Sequence, residues 1–226
     1  MPEIIPIQLT LPFGMGSVNC YLLTGRSGCV LIDTGASNSR VVLEKALAAA
    51  GCEPDHLKLV VLTHGDFDHS GNAAYLHRQY GAPLAMHISD AGMVACGDIF
   101  VNRKRPNWIV RRLIPLATGF GRKERFTPDI FLEDGNDLSR HGVKAKVLSI
   151  PGHSLGSIGI LTSEGDLFCG DLFENQVGPK LNSIMDDKAA AEASLDRLRT
   201  FKIKTVYPRH GEPFEMTGLF GRVVSK

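Results

Sequence analysis

A nearly continuous apolar run, Leu57-Lys58-Leu59-Val60-Val61-Leu62, ends abruptly in Thr63-His64-Gly65-Asp66-Phe67-Asp68-His69-Ser70-Gly71. A short apolar run of this kind reads as a strand buried on both faces. The segment after it places four candidate metal ligands, His64, Asp66, Asp68 and His69, within six residues. Imidazole and carboxylate together suit zinc, iron and manganese. A loop leaving a strand can turn alternate side chains to one side, so His64, Asp66 and Asp68 could converge while His69 faces a second ion.

The surrounding pattern supplies a scaffold for such a loop. Ile4–Leu9, Cys20–Thr24 and Cys29–Ile32 read as strands, with Gly25–Gly28 as a turn. Arg40–Ala50 reads as a helix closed by Gly51, Asn72–Tyr80 as a helix ending at Gly81, and Pro83–Met86 as a strand. Val143–Ile150, Ile158–Thr162, Asp166–Cys169 and Thr205–Tyr207 read as further strands. Lys188–Thr200 reads as a helix, with Ala191, Leu195 and Leu198 at helical spacing. Strands alternating with helices predict a layered α/β fold, with chemistry on loops at strand ends. At 226 residues the chain is expected to form one domain, 1–226. Residues 88–140 lack strand alternation until Ile130–Leu132 and read as a helical cap inserted over one edge of the site.

Three solitary ligands follow, each beside glycine at a strand end: His153 in Pro151-Gly152-His153-Ser154, Asp171 in Gly170-Asp171, and His210 in Arg209-His210-Gly211. Singly, each has a bland reading: a structural histidine, or an N-capping aspartate before a helix. Together and in this order they resemble the metal signature of the metallo-β-lactamase-fold superfamily. Asn19-Cys20-Tyr21-Leu22 and Leu31-Ile32-Asp33-Thr34-Gly35 resemble that family's opening strands.

The resemblance implies a four-layer αββα sandwich of two mixed sheets flanked by helices. It implies two divalent ions, zinc first: one held by His64, Asp66 and His153, the other by Asp68, His69 and His210, with Asp171 bridging. Asp33 would support the ligands from behind. A hydroxide between the ions would be the nucleophile, oriented by Asp68, in the hydrolysis of an ester-type small molecule such as a lactone, thioester or phosphoester.

One position departs from the family. Asp66 stands where most relatives have histidine. Three anionic ligands instead of two leave the ligand shell of two divalent ions at +1 rather than +2. The harder oxygen ligand favours iron or manganese over zinc. Three readings are open: Asp66 is a working ligand of a hydrolase, it tunes a di-iron redox site like that of flavodiiron enzymes, or it weakens the first site. A metal-binding scaffold without turnover is a further alternative. Only 16 residues follow His210, which is expected to exclude the flavin domain of flavodiiron enzymes and the helical substrate domain of glutathione thioester hydrolases.

Charge narrows the partners. The formal net charge of +1 does not call for nucleic acid. Between Arg103 and Arg125, however, lie eight basic residues (Arg103, Lys104, Arg105, Arg111, Arg112, Arg122, Lys123, Arg125) and one acid, Glu124. This patch could attract an anionic substrate. Alternatively it is a solvated helix face, or with Trp108, Ile109, Val110, Leu113 and Ile114 it lies against a membrane surface or a second subunit, as in a homodimer. Pro115 limits that helix to about two turns, so no stable membrane association is expected. Phe13-Gly14-Met15-Gly16 reads either as a wall of the pocket or as a plain hairpin loop. Five cysteines without a CxxC pair, together with the absence of a basic-then-apolar leader, predict a cytoplasmic protein. Cys169 is read as a small buried hydrophobe.

Overall fold

The computed structural model describes residues 3–25, 27–103, 107–109, 113 and 121–219. The expected strands form, with ends shifted by at most three residues. β1 (Glu3–Thr10), β2 (Ser17–Gly25) and β3 (Gly28–Ile32) make an antiparallel meander. β4 (Leu57–Val61), β5 (Leu84–Met86) and β6 (Ile130–Phe131) continue the same sheet in parallel. α1 (Arg40–Ala49) crosses from β3 to β4, α2 (Phe67–Ser70) and α3 (Ala73–Tyr80) from β4 to β5, and α4 (Ile88–Cys96) lies between β5 and β6. In the second half come β7 (Ala145–Ser149), β8 (Ile158–Thr162), β9 (Asp166–Phe168), β10 (Phe173–Asn175), β11 (Lys180–Leu181), α5 (Lys188–Leu198), β12 (Thr205–Tyr207), β13 (His210–Gly211) and β14 (Phe214–Glu215). The second sheet has the order β14-β12-β9-β8-β7. α5 starts where the Asp187 carboxylate accepts the Ala190 N–H.

Three apolar layers hold these elements together, and strand alternation assigns each side chain to one of them. In β3, Cys29 and Leu31 face α1 and α3 along with Leu43, Leu47 and Leu76. Val30 and Ile32 face the other way, into a layer shared with Val147, Ile158, Ile160 and Phe168 of the second sheet. On that sheet's far side, Leu161 and Leu167 pack with Ala191 and Leu198 of α5. The result is the expected helix–sheet–sheet–helix order. Each fully buried Leu or Ile contributes roughly 1.5–3 kcal/mol to it.

Lys58 explains how a strand with one lysine stays buried. Leu57 pairs with Cys29 and Leu59 with Val30, so Lys58 is the extra residue of a bulge and points to solvent.

Two features differ from the sequence expectation. A third sheet, β11-β10-β13, accompanies the two main ones and carries His210. Within 88–140, α4 and β6 are built into the first sheet and its helical layer: Val94 joins the α1/α3 core, and β6 pairs with β5. Lys104, Arg105, Val110–Arg112, Ile114 and Pro115 lie outside the described residues. Among the described residues no helix is long and apolar enough to cross a membrane.

Candidate metal centre

The seven expected ligands follow the C-terminal ends of β4, β7, β9 and β12. The loop after β4 is not irregular throughout. Asp66 precedes α2, which carries Asp68 and His69, and the Ser70 N–H and hydroxyl both bond to the Asp66 carbonyl. This turn sets His64 and Asp66 toward one pocket and His69 toward its neighbour. Asp171 precedes strand β10, so it has no helix to cap.

Close backbone packing fixes the loops. A Cβ on Gly65 would meet Met93 Cβ at 2.9 Å, so only glycine lets the ligand loop lie against α4. Gly152, at φ +148°, likewise sits against Ala191 of α5. Asp90 of α4, buried at 1% exposure, ties two loops together. Its carboxylate accepts the Gly65 and Gly156 N–H groups at 3.2 and 2.9 Å and the Ser154 hydroxyl at 2.6 Å.

Each histidine uses Nδ1 for support. His69 Nδ1 donates to Asp33 Oδ2 at 2.9 Å, His153 Nδ1 to the Ile184 carbonyl at 2.7 Å, and His210 Nδ1 to the Ser17 carbonyl at 3.3 Å. His64 Nδ1 lies 3.2 Å from the Thr63 hydroxyl. Asp33 also accepts the Thr63 N–H and hydroxyl at 2.9 and 2.8 Å. Hydrogen bonds of this kind orient an imidazole and leave Nε2 for another partner.

Those Nε2 atoms converge. His64 Nε2 is 3.3 Å and His153 Nε2 2.9 Å from Asp66 Oδ2, while His69 Nε2 is 3.3 Å from Asp171 Oδ1. Two groupings are tight enough to hold an ion: His64, Asp66 and His153, and His64, His69 and Asp171. Asp68 and His210 stand just outside them, Asp68 Oδ2 at 4.0 Å from His69 Nε2 and His210 Nε2 at 3.8 Å from Asp171 Oδ2.

His64 Nε2, His69 Nε2 and Asp171 Oδ1 are buried and have no hydrogen-bond partner among the described residues. Buried polar atoms left this way are costly. Three of them aimed at one another, all good donors to a divalent cation, fit a metal ion.

The electrostatics of the protein groups follow from this crowding. Burial lowers the His64 pKa, and the neighbouring His69 and His153 lower it further. Burial also works against protonated His69 and His153, but facing aspartates outweigh it and raise both to about 9. For Asp66 and Asp171 burial favours the neutral acid, yet the surrounding histidines, with Arg103 at Asp66, hold both carboxyls well below the usual range.

Two arginines complete the site, neither assigned to it by sequence. Arg103 was visible only as part of a basic patch. Its Nη1 lies 2.5 Å from Asp66 Oδ1 and its Nε 2.6 Å from Asp186 Oδ2. Arg209, next to His210, is 1% exposed and donates from Nη1 to the Asn19 carbonyl at 3.1 Å. Burial works against its charged form, but the nearby Cys20, Asp68, Asp33 and Asp171 outweigh it and favour protonation. Asp90 carries no sequence signal, because nothing local marks a helical aspartate as a clamp.

This fold and site define an α/β-sandwich protein with two adjoining histidine–aspartate groupings, each able to hold a metal ion, at its strand ends. The sequence model of the metallo-beta-lactamase superfamily matches residues 13–210, and the chain belongs to that superfamily. It is 27% identical to "Acyl-coenzyme A thioesterase MBLAC2" of Bos taurus, over 89% of this chain and 76% of that protein. It is 28% identical to "Hydroxyacylglutathione hydrolase GloC" of Haemophilus influenzae, over 78% of this chain and 74% of that one. Against two further curated relatives it spans 58% and 66% of their length. The solved structure "Crystal structure of TTHA1623 in a di-iron-bound form" superposes with a TM-score of 0.71 at 29% identity, covering 96% of this chain and 97% of that one.

Proposed function

We propose that this chain is a dinuclear metal-dependent hydrolase of small thioesters or related esters. The observation that carries the reading is the set of orphaned, buried Nε2 and carboxylate atoms at the two adjoining groupings. His64, Asp66 and His153 would hold one ion; Asp68, His69 and His210 the other; Asp171 lies between them. Two divalent ions there would supply Lewis acidity and lower the pKa of a bound water to roughly 7. The chain's own contributions are orientation and proton handling. Asp33 and the Ile184 carbonyl fix the histidine rings, and Asp68, partly exposed at the mouth, is placed to take a proton.

A thioester leads the substrate list because two relatives are an acyl-coenzyme A thioesterase and a hydroxyacylglutathione hydrolase by name. An anionic substrate drawn by the basic patch gains less support, since Arg103 is already engaged by Asp66 and Asp186. Iron is a second reading of the metal, favoured by the di-iron form of the TTHA1623 structure.

Elemental mass spectrometry of the purified protein, with assays on acyl-coenzyme A, acylglutathione, lactone and phosphoester panels, tests the proposal. Two ions per chain and turnover abolished by chelation are expected. A chain that takes up no ion, or that hydrolyses nothing when fully loaded, overturns it.

A further inference from the structure

The two oxygens of Asp66 have different neighbours. Oδ2 faces His153 Nε2 at 2.9 Å and His64 Nε2 at 3.3 Å, inside one of the two ligand groupings. Oδ1 faces Arg103 Nη1 at 2.5 Å. Arg103 is itself held in place: Nε bonds Asp186 Oδ2 at 2.6 Å, Nη2 donates to the His153 carbonyl at 3.3 Å, and Nη1 also reaches the Ile99 carbonyl at 3.4 Å. Only 12% of its side chain is exposed.

A histidine ligand is neutral and offers a metal one lone pair. A free carboxylate carries a full negative charge and can chelate through both oxygens. A guanidinium on one oxygen removes both differences, because it cancels the charge and occupies Oδ1. We propose that Arg103 is a positioning residue that makes Asp66 equivalent to a histidine: one ligand atom, Oδ2, from a pair with no net charge. The centre is then not one charge poorer than a histidine site, as the ligands alone suggest. The inference rests on the metal-centre reading given above.

A double-mutant cycle tests it. Metal-free wild type, Asp66→His, Arg103→Met and the double variant are titrated separately with Zn²⁺ and Mn²⁺ against a chromophoric chelator, with melting curves as a folding control. Asp66→His leaves the Arg103 charge beside the ions balanced only by the exposed Asp186 and is expected to weaken the weaker-bound ion about tenfold or more. The double variant is expected to return to within about threefold of wild type. Arg103→Met alone frees both Asp66 oxygens and should raise the Mn²⁺ to Zn²⁺ affinity ratio about tenfold. Asp66→His with Arg103→Lys, which keeps the cation, should stay as weak as Asp66→His. This variant also decides the matter if Arg103→Met does not fold.

Additive effects, or recovery in the lysine double variant, overturn the role of Arg103 while leaving the metal centre standing. A wild type that binds neither ion overturns both.

Discussion

The two halves of the site are supported in opposite ways. Behind His69 stands Asp33, 3% exposed, directly after β3 and in the left-handed region at φ 59°. It accepts the Thr63 N–H and hydroxyl, just past the adjacent β4, and His69 Nδ1 from α2. Behind Asp66 stands Arg103, a long side chain arriving from the segment after α4 and shared with the exposed Asp186. One half is braced by a short, buried carboxylate on neighbouring strands. The other is balanced by a cation on a long side chain from a distant segment. Rigid support ties the His69 half to the stability of the fold, whereas the Asp66 half can be retuned electrically.

Asp171 is the strongest test of this contrast, since Oδ1 faces His69 and Oδ2 lies 3.8 Å from both His153 and His210. Asp171→Ala should erase the distinction between the halves, costing at least one bound ion and on the order of a thousandfold in hydrolysis. Elemental analysis and kcat/KM check this, and an unchanged ion count would mean that the halves bind independently.

Asp33→Ala should separate the halves next. It is expected to cost about 3 kcal/mol of stability, because it leaves a buried imidazole and hydroxyl unpaired. Metal affinity should fall roughly 10–100-fold. Urea denaturation of the metal-free protein measures the first effect, and retained stability would deny Asp33 its bracing role.

The pH response sharpens the picture further. His69 and His153 are raised from 6.5 to about 9, so their contribution to the metal-free fold is complete below 6.5 and lost as pH rises through 9. Asp66 and Asp171 are lowered, so theirs is present above 3.8 and lost as pH falls. His64 is lowered below 6.5 and takes stability away as pH falls under that value, so the protein without metal should melt highest near pH 6.5 and less stably at pH 9. Metal affinity should run the other way and rise toward pH 9, since an ion must displace the histidine protons. Melting curves with and without metal would show parallel pH profiles if this coupling were absent.

The smallest effect is expected far from both supports. Phe13, 78% exposed and at φ 55°, sits in the β1–β2 loop near Ser17, whose carbonyl holds His210. Phe13→Gly should move stability by no more than about 0.5 kcal/mol. A rise in KM with kcat unchanged would make this loop a wall of the pocket; no change in either would leave it a hairpin turn.

Most strands and helices were legible because their signals are local. Apolar alternation, a glycine after α3 and the run at Leu57–Leu62 depend on a few neighbouring residues; the four-layer order was implied by the family resemblance. The bulge at Lys58 and the two-residue strand at His210 were not legible, since both arise from pairing with distant strands.

Taken alone, the sequence determined which residues have metal-binding chemistry and that they follow strands, because side-chain donors and hydrophobic period are properties of the residue and its near neighbours. Tertiary structure alone decided which ligand atoms meet and at what distance, which loops Asp90 clamps, and that a cation 37 residues away neutralises Asp66. Ion pairing and burial depend on which distant segments the packed layers bring within a few ångströms, and no local pattern encodes that distance.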